Sequence, residues 1–213
     1  MDKDKIIIIP VHNEKLSLKK VIKECIFFSK ILVVDDGSAD GTSSWLKNKK
    51  IPFIKNKKKS GYEISLIKGF KKLLKNNNIK YIITLDGDGE HNPKYLNSMM
   101  NIFKRKRLDL LIGERNKLNR FSEKVLSAFF FLRYGVRDPI SGYKIYSSKA
   151  LKKIINKIKL NSFLVDIIPY FRANNCKIEN YKIKIRPRIK SQPKVGKSFF
   201  VNFKILKILR HIL

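Results

Sequence analysis

Acidic side chains are concentrated in two short stretches of this 213-residue chain. Six of its 17 acids fall within residues 31–40 and 81–90, and neither stretch contains a Lys or Arg. These acids are Asp35, Asp36, Asp40, Asp86, Asp88 and Glu90. The whole chain carries 48 Lys and Arg and a formal net charge of +31. Acids clustered in such a basic chain are typical of sites for a metal ion or for hydroxyl groups, because hard cations prefer oxygen ligands.

Asp86 and Asp88 are separated by one glycine, which makes them the strongest candidates for metal binding. Two carboxylates this close repel each other unless a cation lies between them. Mg²⁺ or Mn²⁺ suits these ligands, and an ion that bridges nucleotide phosphates offsets charge on a departing diphosphate. For Asp40, capping of the next helix is the simpler interpretation.

The acids follow predicted strands in a pattern of alternating strands and helices. Continuous apolar runs predict strands at residues 5–11, 31–35, 52–55 and 81–86, with helical periodicity between most of them. Such runs indicate strands covered on both faces, so we predict an α/β fold with a mostly parallel sheet flanked by helices. Ligands bind at the carboxyl ends of strands in these sheets, and both acidic stretches should therefore converge on one crevice.

The second half of the chain is less regular. Its predicted elements are strands at 109–113 and 143–146, helices at 122–134, 150–158 and 163–173, and an extended segment at 177–188. Helix 122–134 is apolar around more than one face, which fits either a core helix or a helix that faces lipid or a partner. We predict one domain over residues 1–198, followed by a basic amphipathic helix at 199–213.

Composition excludes several classes of protein. With 43% hydrophobic residues, the chain has enough apolar side chains to fold, unlike a disordered basic tail. Cys25 and Cys176 have no metal-ligand or redox spacing. The start of the chain does not resemble a signal peptide, and no apolar run approaches the roughly 18 residues of a membrane-spanning helix. We expect a soluble or peripheral protein.

Four motifs occur in a fixed order along the chain. They are IIPVHNE at residues 8–14, VVDDGSADGT at 33–42, LDGDGEHNP at 85–93 and DPISGYK at 138–144. Together they resemble the family two glycosyltransferases, which have the GT-A fold of nucleotide-diphospho-sugar transferases. The resemblance is strongest to the branch that transfers sugars to dolichyl or undecaprenyl phosphate, and it extends from about Ile6 to Ser198. It implies a metal-dependent, inverting transfer from a GDP- or UDP-linked sugar to a polyprenyl phosphate.

The resemblance also assigns a donor site. The turn that would cradle the nucleotide, with its glutamate facing the donor, contains Pro10, Val11, Asn13 and Glu14. Asp36 would bind the base, and Asp35 would support the loop that carries it. Asp86 would lie by the ribose and the metal ion, and Asp88 would be the metal ligand. The branch often has Gln two residues later as a further ligand, whereas this chain has the charged Glu90.

The acceptor phosphate would be bound by Arg115, Arg120, Arg188, Gly196 and Ser198. Arg115 ends a Gly-Glu-Arg sequence that resembles the Gly-Ser-Arg of the branch. Guanidinium groups and the backbone amides of a Gly-Ser loop are suitable phosphate ligands. In so basic a chain, Arg120 and Arg188 are equally interpretable as ordinary surface residues.

Asp166 is the first candidate for a catalytic base, because it falls where the family has an acid at the acceptor site, and Asp138 is the second. A phosphate acceptor is already ionised at neutral pH, so positioning and the metal ion can do most of the work. The other interpretation of Asp166 is an ion pair with Arg172 or a nearby Lys.

Residues 177–213 carry eleven Lys and Arg and one acid. In the predicted helix at 199–213, Lys204, Lys207 and His211 lie opposite a broad apolar arc. Such a helix can lie on an anionic membrane, with each basic residue contributing about 1 kcal/mol, or it can pack on the domain. We expect a protein on the cytoplasmic face of the membrane, held there peripherally or by a membrane-anchored partner.

Three other functions remain open at the level of the sequence. The same fold and donor could serve a glycan or another hydroxyl acceptor. A nucleotidyltransferase has a similar sheet, but it usually shows a Gly-rich phosphate loop after the first strand. A nucleic-acid-binding module would leave the two acidic stretches unexplained, so we expect no nucleic-acid partner.

Overall fold

The computed structural model describes residues 4–157 and 163–189. The strands in these ranges are β1 (Lys5–Val11), β2 (Lys30–Asp35), β3 (Phe53–Lys55), β4 (Tyr81–Thr84), β5 (Leu110–Arg115), β6 (Lys144–Ser147) and β7 (Ile178–Ile183). The helices are α1 (Lys15–Cys25), α2 (Thr42–Asn48), α3 (Tyr62–Leu73), α4 (Leu96–Arg105), α5 (Phe121–Tyr134), α6 (Ser148–Ile154) and α7 (Phe163–Ala173), and a 3-10 helix at Pro93–Tyr95 precedes α4.

The strands form one sheet in the order β3-β2-β1-β4-β6-β5-β7. β1 pairs in parallel with β2 and β4, and β2 pairs in parallel with β3. β6 is inserted antiparallel between β4 and β5, and β7 returns parallel to β5. Among the described strands, a single antiparallel one interrupts the sheet, and the prediction of a mostly parallel α/β fold is confirmed.

Both faces of the sheet are covered, which explains the continuous apolar strands. Successive side chains of a strand point to opposite faces. Ile7 and Ile9 of β1 pack in the hydrophobic core that also contains α1 and α4, whereas Ile8 packs in the core that contains α3, α5, α6 and α7. The protein is thus a three-layer α/β/α structure, and the sheet holds its loops at a fixed edge.

One helix of the structure was not expected from the sequence. The patterns considered above do not predict α4, although Met99, Met100 and Phe103 form its buried face. Within the described ranges, no helix is both long and apolar enough to cross a membrane. The predicted amphipathic helix at 199–213 lies outside those ranges, as does the boundary at residue 198.

Candidate functional site

A crevice of about 300 Å³ opens at the carboxyl ends of β1, β2 and β4. Its lining includes residues of the predicted donor site from separate segments of the chain. They are Pro10, Val11, Glu14, Asp36, Asp86 and Asp88. Parallel strands present their carboxyl ends at the same edge, and the sheet therefore brings both acidic stretches to one place.

The turn after β1 is fastened to the loop after β2. Asn13 adopts a positive φ of 55°, and its backbone N–H donates to Oγ of Ser38 at 2.9 Å. In return, the backbone N–H of Ala39 donates to Oδ1 of Asn13 at 2.8 Å. Glu14 is buried beside the crevice and accepts a hydrogen bond from Ser17 at 2.7 Å. Asn13 thus joins the two loops, whereas Glu14 lines the cavity.

Asp35 and Asp40 hold the ends of helices and loops. The backbone N–H of Ser38 donates to Oδ1 of Asp35 at 2.9 Å. The backbone N–H groups of Lys15 and Thr42, the first residues of α1 and α2, donate to the carboxylate of Asp40 at 3.0 and 3.1 Å. Asp40 therefore caps two helix starts, which agrees with the simpler interpretation of this residue.

Asp36 lies in the crevice wall with a carboxylate that is occupied by the protein itself. Oδ1 accepts hydrogen bonds from the side chain of Asn56 and the backbone N–H of Ser60, both at 2.8 Å. Oδ2 accepts a hydrogen bond from the backbone N–H of Gly61 at 2.8 Å. Burial alone would raise the pKa of Asp36, but these donors outweigh burial and the pKa is lowered. In the structure, this acid anchors the 56–61 segment that leads into α3.

Asp86 is positioned by groups from both sides of the crevice. The hydroxyl of Tyr62 donates to Oδ1 of Asp86 at 2.7 Å, and the backbone N–H of Asp86 donates to Nδ1 of His91 at 3.2 Å. Burial and the neighbouring Asp86 raise the pKa of Tyr62 well above its usual value, so the phenol stays a donor. A Cβ on Gly142 would collide with Oδ1 of Asp86 and the hydroxyl of Tyr62, so a larger residue there would displace them.

Asp88 and Glu90 share one cation from the segment after β7. The guanidinium of Arg188 lies 3.3 Å from Oδ2 of Asp88 and 2.9 Å from Oε1 of Glu90. Burial and the neighbouring Asp86 raise the pKa of Asp88 to about 6, although Arg188 and the backbone N–H of Glu90 act in the opposite direction. The structure therefore places the positive charge of Arg188 beside Asp88 and Glu90. The carboxylates of Asp86 and Asp88 still repel each other.

The donor set fits a divalent cation that is completed by a ligand. Within residues 4–157 and 163–189, no group of three or more His, Cys, Asp or Glu side chains is arranged to hold a metal ion alone. Mg²⁺ is commonly held by one or two carboxylates together with the phosphates of a substrate. Asp86 and Asp88 line the same crevice. The guanidinium of Arg188, which is itself a cation, forms ion pairs with Asp88 and Glu90. The chemistry of these residues therefore fits a cation shared with a diphosphate.

On the other side of the site, two predicted residues bind each other. Nε and Nη2 of Arg115 donate to the carboxylate of Asp138 at 2.7 and 3.0 Å, and the backbone N–H of Arg115 donates to the same carboxylate at 3.1 Å. Glu123 of α5 lies 3.6 Å from Arg115 and accepts a hydrogen bond from Arg120 at 3.0 Å. Asp138 is 1% exposed and raises the pKa of Arg115 despite the burial of that guanidinium. This cluster contains two guanidinium groups and two carboxylates, so its formal charges cancel.

Asp166 lies in the first turn of α7 and is half-buried. Gly196 and Ser198, which the sequence assigns to the acceptor phosphate, lie outside the described ranges. Tyr62, Glu123 and Lys144 are part of the site or its support, yet sequence reasoning gave none of them a role. The contact of Tyr62 with Asp86 spans 24 residues and that of Lys144 with Leu164 spans 20, so no local spacing signals them, whereas Glu123 lies three residues after Arg120 and could have been paired with it from the sequence.

The strand order, the helices on both faces of the sheet and the crevice at the strand ends agree with the GT-A architecture. A family model described as glycosyl transferase family 2 matches residues 6–178. The chain therefore belongs to glycosyltransferase family 2 and is a glycosyltransferase. The resemblance seen in the sequence motifs is confirmed.

Relatives and solved structures are consistent with this membership. The uncharacterized protein MJ1222 of Methanocaldococcus jannaschii is 30% identical over 97% of this chain and 91% of its own length. The undecaprenyl-phosphate mannosyltransferase of Micrococcus luteus is 28% identical over 69% of this chain and 68% of its own. Glucosyl-3-phosphoglycerate synthase from Mycobacterium tuberculosis, solved with Mn²⁺, UDP and glucosyl-3-phosphoglycerate, superposes with a TM-score of 0.74 over 99% of this chain and 79% of that chain. Its sequence identity is 12%, so this likeness shows the fold alone.

Proposed function

We propose that this glycosyltransferase moves a sugar from a UDP- or GDP-linked donor to a polyprenyl phosphate, with inversion and with Mg²⁺ or Mn²⁺ as cofactor. The observation that carries the proposal is the crevice at the strand ends, where Asp86 and Asp88 face the turn after β1. A nucleotide diphosphate fits this position, because the cation needed for its charge can be held by the same two acids.

The donor half of the proposal is supported by the lining of the crevice. Pro10, Val11 and Glu14 border the same cavity as Asp36, and the related fold solved with Mn²⁺ and UDP has this architecture. In the proposed complex, Asp88 ligates the metal ion, Asp86 supports it beside the ribose, and Glu90 contributes a further oxygen. The metal ion supplies electrostatic stabilisation of the leaving diphosphate.

Arg188 connects the donor and acceptor halves. It lines the crevice, and its guanidinium is held by Asp88 and Glu90. If these carboxylates held a divalent cation, the guanidinium of Arg188 would be free to bind a phosphate with paired N–H donors. Arg115 and Arg120 already share the carboxylates of Asp138 and Glu123, so we assign them to shaping the acceptor side.

A polyprenyl phosphate also agrees with the charge of the chain. Residues 177–213 carry eleven Lys and Arg, and a distant relative is named as an undecaprenyl-phosphate mannosyltransferase. We place the enzyme on the cytoplasmic face of an anionic membrane, bound peripherally or through a membrane-anchored partner. There, Gly196 and Ser198 would complete the acceptor phosphate site.

The proposal is tested by incubating the full chain with a panel of UDP- and GDP-sugars, Mn²⁺ or Mg²⁺, and a short polyprenyl phosphate. Glycolipid should form with one donor, and chelation of the metal should abolish its formation. Donor turnover without glycolipid would refute the lipid acceptor while leaving the glycosyltransferase assignment intact.

A hydroxyl acceptor is the second candidate, because the Mycobacterium tuberculosis neighbour carries a glucosyl-3-phosphoglycerate and Asp166, in the first turn of α7, is the acid that the family resemblance assigns to the acceptor site. A hydroxyl must lose a proton, and removal of its general base costs about 10²–10⁴-fold in rate. Asp166→Asn should therefore change transfer to a polyprenyl phosphate less than about threefold and transfer to a hydroxyl acceptor by at least about 100-fold. Asp109→Asn, an acid that accepts from the backbone of Lys177, is the matched control.

A further inference from the structure

Lys144 of β6 is a buried lysine whose ammonium group, among the described residues, binds backbone carbonyls and no carboxylate directly. Its side chain has no solvent exposure, and Nζ donates to the carbonyl oxygens of Pro139 and Leu164 at 2.7 and 3.1 Å. Burial lowers the pKa of Lys144 to about 7, although Asp138, Glu63 and Asp86 act in the opposite direction and Arg115 adds to the lowering. A buried cation carries a large desolvation cost, so its contacts must be specific to be retained.

The peptide groups of Leu164 are held from two sides. Its carbonyl accepts from Lys144, and its N–H donates to Oε1 of Glu63, in the first turn of α3, at 3.2 Å. Leu164 is the second residue of α7, where backbone N–H groups have no partner inside the helix. Pro169 has no N–H for the carbonyl of Val165, so α7 itself also lacks one of its early hydrogen bonds. The first turn of α7 therefore depends on β6 and α3 for its position.

These contacts lie between the two halves of the site. Glu63 follows Tyr62, whose hydroxyl donates to Asp86 in the crevice. Pro139 follows Asp138, whose carboxylate is bound by Arg115 on the acceptor side. We infer that Lys144 and Glu63 are positioning residues, which clamp Leu164 and so fix the first turn of α7, with Asp166, relative to the donor crevice.

This inference rests on the proposed function in one respect, since Asp166 faces an acceptor only if that function holds. The physical consequence is a change in geometry at the reacting groups, while binding of the donor is left intact. Lys144 and Leu164 do not line the crevice, whereas small displacements of reacting groups cost about 10²-fold in rate. The variants should consequently separate kcat from the KM of the donor.

The experiment compares Lys144→Met with Lys152→Met in the full chain. Lys152 is an exposed residue of α6 that donates to Asn77, so it controls for loss of a lysine outside the clamp. Glu63→Leu removes the second half of the clamp, and Glu63→Gln retains an acceptor oxygen. Hydrogen exchange of the backbone amides is measured in parallel with kcat and KM for transfer.

In Lys144→Met and Glu63→Leu, amides in the first turn of α7 should exchange at least about tenfold faster, while those of α1 remain unchanged. The kcat of transfer should fall by about 10- to 100-fold with a hydroxyl acceptor and by less than about threefold with polyprenyl phosphate, in each case no further than in Asp166→Asn, with the donor KM within about twofold of wild type. Glu63→Gln and Lys152→Met should behave like wild type.

Unchanged exchange in α7, equal acceleration throughout the protein, an unchanged kcat with a hydroxyl acceptor, or a kcat that falls further than in Asp166→Asn with the same acceptor would each overturn the inference. If the wild-type protein transfers no sugar to polyprenyl phosphate, the proposed function fails separately. In that case, hydrogen exchange in α7 still shows whether the clamp exists. The kcat is then measured with whichever acceptor the enzyme is found to use.

Discussion

The two acidic stretches have similar composition but different surroundings in the folded protein. Asp36 accepts three hydrogen bonds from Asn56, Ser60 and Gly61. Asp88 accepts one backbone hydrogen bond from Glu90, and its other oxygen meets Arg188. The first acid is committed to holding a loop, whereas the second is held by groups that a ligand could replace.

The pKa values of the two acids move in opposite directions for this reason. Donors to Asp36 outweigh its burial and lower its pKa. Burial of Asp88 and the nearby Asp86 raise its pKa to about 6. Hydrogen-bond donors stabilise a carboxylate and a neighbouring carboxylate destabilises it, so the number and sign of the neighbours decide which acid is suited to a cation.

The largest expected effect is that of Asp88→Asn on turnover. Replacing the proposed metal ligand with a neutral amide should lower metal-dependent transfer or donor hydrolysis by at least about 100-fold, with little loss of folding stability. Steady-state rates at saturating Mn²⁺, together with thermal unfolding, measure both quantities. Turnover equal to that of wild type would show that Asp88 is no more a metal ligand than Asp36 is.

Asp36→Asn should have a smaller effect, and mainly on stability. An amide cannot accept all three hydrogen bonds, so the free energy of unfolding should fall by about 1–3 kcal/mol at neutral pH. Because the folded-state pKa is lowered, the stabilisation is present above the unfolded-state pKa of about 3.9 and is lost as pH falls through the folded-state value.

Denaturant unfolding of wild type and Asp36→Asn between neutral pH and about pH 3.5 checks this sign. The difference in unfolding free energy between wild type and Asp36→Asn should become smaller as the pH is lowered. A gap that widens toward acid, or an unfolding free energy unchanged at pH 7, would contradict the assignment of Asp36 as an anchor.

Arg188→Gln should have the smallest effect on stability and on binding of the metal ion without nucleotide. The side chain of Arg188 is 32% exposed, and ion pairs near the surface contribute about 0–1 kcal/mol, so the free energy of unfolding should change little. Loss of the guanidinium should strengthen Mn²⁺ binding in the absence of nucleotide by about two- to fivefold. The reason is that the positive charge of Arg188 no longer competes with Mn²⁺ for Asp88 and Glu90. Electron paramagnetic resonance of free Mn²⁺ measures this binding.

Arg186→Gln is the matched control, since Arg186 belongs to the same segment but pairs with Glu24 at 2.7 Å. It should bind Mn²⁺ like wild type. Weaker Mn²⁺ binding in Arg188→Gln than in Arg186→Gln would show that the guanidinium does not compete with the cation.

Much of the fold could be predicted from local patterns. β1 is predicted at its observed bounds because Ile6 to Ile9 must be buried on both faces of a sheet. The edge that carries the crevice follows from the parallel pairing of β1, β2 and β4. α4 was not predicted, although Asn92 and Pro93 form an N-cap signal at the 3-10 helix before it and its buried residues Leu96, Met99, Met100 and Phe103 recur at helical spacing, so this local signal was overlooked.

The pairing of Arg115 with Asp138 could not be predicted in the same way. The two residues are 23 positions apart, and each fits a separate role in a phosphate site when considered alone. The return of β6 between β4 and β5 brings the turn before it against the end of β5. Only that antiparallel insertion makes the carboxylate a partner of the guanidinium.

By itself, the sequence determined the class of fold and the location of the acids, since strand hydrophobicity and the spacing of Asp86 and Asp88 are local properties. Tertiary structure decided which acids remain available to a ligand. The donors to Asp36 lie 20 to 25 residues away and the cation beside Asp88 is Arg188, so their contacts exist only after folding. A carboxylate's role depends on these partners, because they set its charge, its pKa and its freedom to bind something else.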